Sequence, residues 1–187
     1  SVCGQEISRV TVTVDALGHD FVDGKCTRCG EVEDEPVKNP FEDVSEDEFY
    51  YDAILWAVGE GITNGVTTTR FAPGDLTTRA QVVTFLWRAN DCPEPTTQTN
   101  PFSDVHEADF YYKAVLWAAE NGITKGVTAT AFNPNGNCTR AQAVTFVHRY
   151  LDEPKATIEN PFVDVSSEDC HYEAILWAAE KGVTTGV

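Results

Sequence analysis

The chain contains no methionine, no long apolar run and few basic residues: 13 Lys plus Arg stand against 30 Asp plus Glu, a formal net charge of −17 at pH 7. A surplus of that sign repels phosphate backbones and anionic lipid headgroups, so neither nucleic-acid binding nor electrostatic docking on membranes is expected. No apolar stretch approaches the roughly 18 residues that a spanning helix needs, so membrane insertion is not expected either. A glycine-rich phosphate loop is missing, and no Ser/His/Asp or Cys/His arrangement stands out as a nucleophile. The lack of an initiator Met leads us to expect a mature product or an excised fragment. What the chain does have is 42% hydrophobic and 11% aromatic residues, enough to build a core.

Internal repetition organises that core. Asn39-Pro40-Phe41-Glu42-Asp43-Val44 recurs as Asn100-Pro101-Phe102-Ser103-Asp104-Val105 and as Asn160-Pro161-Phe162-Val163-Asp164-Val165. Each opening leads to an Ala-Ile/Val-Leu-Trp-Ala segment carrying Trp56, Trp117 or Trp177, then to Gly-Ile/Val-Thr and Gly-Val. The first two units continue through Phe71-Ala72-Pro73 and Phe132-Asn133-Pro134 to Thr78-Arg79-Ala80-Gln81 and Thr139-Arg140-Ala141-Gln142. The third reaches Gly186-Val187, and a further Thr-Arg-Ala-Gln segment is expected beyond it.

Tyr50, Ile54, Ala57 and Val58 fall on one helical stripe, ended by a left-handed cap at Gly61. A second helix is predicted to turn Val82, Val83, Phe85, Leu86 and Trp87 inward, so each unit reads as helix, loop, helix. The Pro- and Thr-rich segments Asn90–Thr99 and Asp152–Glu159 read as connectors. A single helical hairpin cannot bury its own apolar face, so the units are expected to pack around a shared core.

These motifs, in this order, resemble the S-layer homology repeat over residues 39 to 187. The resemblance implies a mainly α fold of tandem helix-loop-helix repeats with pseudo-threefold symmetry: repeat 1 at 39–92, repeat 2 at 100–152 and the first half of repeat 3 at 160–187. It further implies a domain without catalysis that holds proteins noncovalently on the bacterial cell wall, outside the cell. Its ligand would be a secondary cell-wall polysaccharide attached to peptidoglycan, often bearing pyruvate ketals, bound without a cofactor.

The residues themselves carry part of that reading. Thr78 with Gln81, and Thr139 with Gln142, match the capping box. Arg79 and Arg140 then sit in the first helical turn, where the macrodipole disfavours a cation. Something must compensate: a salt bridge to Asp43 or Asp104, or an anionic ligand held by the guanidinium and the free N–H groups of the helix terminus. Trp56, Trp117 and Trp177 adjoin the apolar stripe and read first as core, second as platforms for a sugar ring. Asp43, Asp104 and Asp164 read as helix-entry caps or Arg partners ahead of sugar contacts. Gly65, Gly126 and Gly186 suit turns needing positive φ or close approach of a sugar, and Lys125 is an auxiliary anion contact in repeat 2. If each groove is built by adjacent repeats, the boundary of repeats 1 and 2 is the one with both helix pairs.

Two catalytic carboxylates would need distinct environments, whereas these aspartates recur equivalently, which argues against a glycosidase. Asp43-Val44-Ser45-Glu46-Asp47 spaces oxygens like a calcium loop, but the later repeats do not preserve the pattern and lack the turn glycine. The principal alternative is a cell-surface module that binds other proteins, with no glycan at all.

Residues 1–35 stand apart. Cys26-Thr27-Arg28-Cys29 is a metal-binding knuckle, and with Cys3 and His19 it makes a candidate zinc set, resembling small zinc-ribbon-like repeats; a Cys26–Cys29 disulfide or free thiols are the alternative. A short β-like segment is expected at Val10–Val14. Cys92, Cys138 and Cys170 lie at nonequivalent positions, and a Cys92–Cys138 bridge is the pairing we expect if the chain is oxidised.

Overall fold

The computed structural model describes residues 21–22, 25–26, 37–97 and 99–186. The chain divides into two compact units, Ser1–Pro36 and Val37–Val187. In the first, β1 (Phe21–Val22) pairs antiparallel with β2 (Lys25–Cys26), Phe21 opposite Cys26. Cys3, His19, Cys29 and the Val10–Val14 segment lie outside the described residues, and so does the zinc set as a whole.

The second unit is helical, as expected. Repeat 1 supplies α1 (Tyr51–Gly59) and α2 (Arg79–Arg88), repeat 2 α3 (Tyr112–Glu120) and α4 (Arg140–Tyr150), and repeat 3 α5 (Tyr172–Glu180). Chain-local chemistry sets these boundaries. Gly61, Gly122 and Gly182 follow α1, α3 and α5 at φ of +68°, +70° and +70°, the left-handed cap that stops each helix. Both capping boxes form. Thr78 Oγ1 accepts from Gln81 N at 3.2 Å while Thr78 N donates to Gln81 Oε1 at 2.8 Å, and Thr139 and Gln142 repeat the pair.

The opening of each repeat is clamped by its asparagine. Asn39 Nδ2 donates to Val44 O at 2.8 Å and its Oδ1 accepts from Phe41 N at 2.9 Å; Asn100 and Asn160 do the same. The following aspartate then reaches across the repeat. Asp43 accepts from the amides of Phe71 and Ala72, and Asp104 from those of Phe132 and Asn133, all within 2.9 Å. Ala72 and Asn133 are left-handed, at φ of about 60°; anchoring two successive amides on one carboxylate offsets that strain. The recurrent aspartates of repeats 1 and 2 therefore hold their own loops. They are neither helix-entry caps nor ion-pair partners of Arg79 and Arg140. Gly65 and Gly126 are also structural: each has φ near +75°, and a Cβ on Gly126 would meet Thr128 O at 2.5 Å and Phe102 Cε1 at 2.6 Å.

The main core gathers around repeat 2. Phe102, Val105, Val115, Ile123, Phe132 and Phe146 join Ala80 and Val83 of α2, while Phe41, Val44 and Ile54 form a smaller cluster in repeat 1. Helix α2 packs on α3 and also touches α4, and α4 packs on α5. Of the α2 residues expected to face inward, Val83 alone is fully buried, and Val82, Phe85, Leu86 and Trp87 are half-buried. The inward face is instead Arg79, Ala80, Val83 and Thr84, because α2 lies between two neighbours rather than against one.

The segments between repeats are anchored to the helices, not loose connectors. Glu120, at the end of α3, accepts from Thr96 N, Thr96 Oγ1 and Thr97 N, and Glu180 accepts from Thr157 Oγ1 at the end of α5. Trp87 Nε1 donates to Pro93 O at 2.8 Å, and His148, at the matching position of α4, holds Pro154 O at 2.9 Å.

Cys92, Cys138 and Cys170 are all unpaired, so the expected Cys92–Cys138 bridge does not form. Cys138 N bonds Thr77 O, just ahead of α2, whereas Cys92 N bonds Trp87 O at its other end. A helix of this length separates them by roughly 15 Å, about twice the Cα separation a disulfide tolerates.

Candidate ligand-binding groove

The first helical turn of α2 is closed to ligands. Arg79 N donates to Gly136 O at 2.9 Å, Ala80 N to Pro134 O at 3.1 Å, and Gln81 N to the Thr78 cap. The loop of repeat 2 thus takes the amides that were expected to receive an anion. The Arg79 side chain is diverted as well: it is only 4% exposed, and its Nε donates to Phe132 O at 2.9 Å. Its guanidinium carbon lies 4.9 Å from the Phe132 ring centre and 5.3 Å from that of Phe146. Each such cation–π contact is worth about 0.5–2 kcal/mol. Burial pushes the Arg79 pKa below its ordinary value, against the pull of Cys138 and Asp104, yet a guanidinium stays charged at neutral pH.

Among the described residues, neither Arg79 nor Arg140 forms an ion pair. No buried polar side-chain atom there lacks a partner. The terminal nitrogens of Arg79 therefore remain accessible, and the residue lines a cavity of about 320 Å³. That cavity is assembled from three repeats. Repeat 1 gives Arg79, repeat 2 gives Thr124–Val127 and the α4 face Gln142, Thr145, Phe146 and Arg149, and repeat 3 gives Cys170 and His171. Lys125 is exposed at its wall. Arg149 is held by Ile123 O at 3.4 Å and Glu153 at 3.7 Å, as Arg88 is held by Ile62 O in repeat 1. A second cavity of about 190 Å³ adjoins the first through Thr145, Arg149 and Cys170 and continues to His148, Lys155 and Glu173.

The boundary of repeats 1 and 2 does have both helix pairs, but this groove takes Arg79 from the first repeat and His171 from the third. Arg140 makes the corresponding step one repeat later, donating from Nη2 to Thr184 Oγ1 at 2.9 Å, where Thr184 matches Thr124.

The family of S-layer homology domains matches residues 40–83 and 101–144. These two segments are S-layer homology domains. The chain is 35% identical over 121 residues to a surface-layer 125 kDa protein of Lysinibacillus sphaericus, covering 63% of this chain and 10% of that protein. It is 34% identical over 116 residues to a cell surface protein of Thermoanaerobacter kivui, covering 60% and 15%. An endoglucanase of Bacillus sp. (strain KSM-635) is 33% identical over 157 residues, 79% of this chain and 16% of the enzyme. The chain thus spans no more than about a sixth of these relatives.

Within the S-layer homology domains, the groove includes some of the residues singled out in the sequence and omits others. Arg79, Lys125 and Gly126 line it. Trp117 and Trp177 do not: they are 6% and 5% exposed and pack at repeat boundaries, Trp117 in the core with Trp87 and 6.2 Å from Tyr150, Trp177 5.5 Å from His148. Trp56 is 61% exposed on α1. Asp43 and Asp104 are committed to backbone amides, Asp164 is exposed, and Gly65 belongs to the repeat 1 turn.

The other groove residues Arg149, Thr145 and His171 escaped sequence reasoning, and Gln142 reads there only as a capping residue. Arg149 had a signal, since Arg88 occupies the same offset in repeat 1; His171 had a different one, replacing Tyr50 and Tyr111. The hydrogen bonds from Phe71 and then Ala72 hold the Asp43 carboxyl below its usual pKa despite partial desolvation. For Asp104, desolvation pulls upward, but the Phe132 and Asn133 amides outweigh it and the net shift is again downward.

Proposed function

We propose that the chain is a noncovalent cell-wall anchor, and that its three-repeat groove binds an anionic secondary cell-wall polysaccharide, with a pyruvate ketal carboxylate as the acidic group. One observation carries this reading. In a chain of net charge −17, Arg79, Lys125 and Arg149 converge on one cavity, with Arg79 held charged under two aromatic rings. A buried, preorganised guanidinium flanked by a lysine suits a carboxylate, and Gln142, Thr124 and Thr145 offer polar groups to sugar hydroxyls. The membership of residues 40–83 and 101–144 in the S-layer homology family, and the cell-surface names of two relatives, support placement on the bacterial surface. We read the module as a binder because its two matched segments are S-layer homology domains, and the same stretch is shared by surface proteins and by an endoglucanase.

Cosedimentation with purified wall sacculi tests the proposal. The chain is expected to pellet with intact sacculi and to stay in solution once acid has stripped the secondary polymer. Lys125→Ala, an exposed change, is expected to weaken pelleting about three- to tenfold without altering the thermal midpoint. Equal pelleting with stripped sacculi would refute a polymer ligand. A second reading, a protein-binding surface module, is favoured by the exposed Phe49, Trp56 and Phe110; it predicts no dependence on wall polymer. The zinc reading of Cys3, His19, Cys26 and Cys29 rests on spacing, and metal analysis of the purified chain, near one zinc per molecule or none, decides it.

A further inference from the structure

We infer that His171 is a proton-dependent ligand contact that makes anion binding in the groove tighten as pH falls. This rests on the proposed anion site and adds its regulation. Thr145 has a single hydroxyl proton, and its Oγ1 donates to Ala141 O at 2.7 Å, the same back-bond that Thr84 makes to Ala80 O in repeat 1. His171 Nδ1 lies 2.8 Å from that hydroxyl oxygen. With the hydroxyl proton already spent, the oxygen can only accept, so Nδ1 carries the ring proton and donates. This fixes the tautomer: in the neutral ring Nε2 is a bare acceptor, and among the described residues it has no hydrogen-bond partner. His171 lines the cavity.

A bare Nε2 lone pair repels a carboxylate or takes a sugar hydroxyl; a protonated Nε2–H donates to the carboxylate with a charge-assisted bond. The groups facing the ring set the direction of the coupling. Arg79 from α2, Lys125 from the repeat 2 loop and Arg149 from α4 oppose a fourth cation in the groove. Cys170 and Glu173 stand on the ring's own side, with His148 of α4, Glu153 and Lys155 across the adjoining cavity. An incoming carboxylate offsets the three cations, so occupancy and protonation of His171 favour each other. The position is specific to repeat 3, since Tyr50 and Tyr111 stand there in repeats 1 and 2 and do not titrate near neutrality.

The test is calorimetric titration of the whole chain with the methyl glycoside of a hexose carrying a pyruvate ketal, between pH 5.5 and 7.5. In that window the ordinary carboxylates stay ionised and the ordinary thiols, Lys and Arg stay protonated, and the other histidines are common to wild type and variants, so the difference between their profiles reads His171. The wild type is expected to bind about fivefold more tightly at pH 5.5 than at pH 7.5, whereas His171→Gln and His171→Tyr give profiles flat to within about twofold. Using both variants separates loss of titration from loss of the Thr145 bond, and circular dichroism confirms that each is folded. A flat wild-type profile, or an unchanged slope in His171→Gln, overturns the role of His171 while leaving the anion groove standing. Absence of binding by folded wild type at every pH overturns the groove reading and this inference with it.

Discussion

Trp56 and Trp117 occupy the same place in the same motif, yet one is 61% exposed and the other 6%. Their helices, α1 and α3, are nearly identical in length, cap and composition. What differs is the neighbour: α3 lies against α2 of the preceding repeat, and α5 lies against α4, burying Trp177 in the same way. The arginines show the reverse side of this rule. Arg79 is buried because the following repeat brings Phe132, Pro134 and Gly136 onto its helical turn, whereas Arg140 is exposed and hydrogen-bonds Thr184 of repeat 3. A repeat therefore encodes two half-interfaces, a tryptophan facing backward and an arginine facing forward. Each is completed by a different unit.

The largest expected effect follows from that asymmetry. Trp117→Ala should cost about 3–5 kcal/mol of stability in urea unfolding, the range for a buried tryptophan, while Trp56→Ala should stay within about 1 kcal/mol. Equal losses would mean that the exposed tryptophan is covered in solution. Next in size is the aspartate pair. Asp104→Ala strands the amides of Phe132 and Asn133 and should cost about 2–3 kcal/mol, against about 0.5 kcal/mol for Asp164→Ala.

Acid should expose the same difference. The folded pKa values of Asp43 and Asp104 lie below the unfolded carboxylate value. Their contribution is therefore fully present above that unfolded value and is lost as pH falls through the depressed folded ones. Below about pH 4 the wild type should lose stability faster than Asp104→Asn, measured as thermal midpoint against pH; parallel curves would show that the carboxylate charge is not what pins the loop.

The sequence made the repeat-internal features legible because their partners lie within a few residues. Capping boxes, the Gly61 cap and the helix-loop-helix order follow from spacing alone. Asp43 was legible as a recurrent acid but not as a loop clamp, because its partners, Phe71 and Ala72, stand 28 and 29 positions away. The groove was legible only in part. Arg79 and Lys125 carry a charge that is conspicuous in an acidic chain, but their meeting with Arg149 and His171 depends on how three repeats pack. No periodicity within one repeat reports that arrangement.

The smallest prediction tests whether the capping boxes are as local as their geometry indicates. Thr78→Ala and Thr139→Ala each remove a hydroxyl that accepts from an N3 amide at 3.2 Å, worth about 1 kcal/mol at a helix N-cap. The surroundings differ: the backbone around Thr78 is bridged to Asn137 of the next repeat, whereas Thr139 is exposed. Those bridging bonds belong to the main chain and survive the loss of the hydroxyl. Equal costs at the two positions, read from urea midpoints, are therefore expected even though one cap sits in an interface. A Thr78→Ala cost well above that of Thr139→Ala would place the hydroxyl itself in the forward-facing half-interface, alongside Arg79.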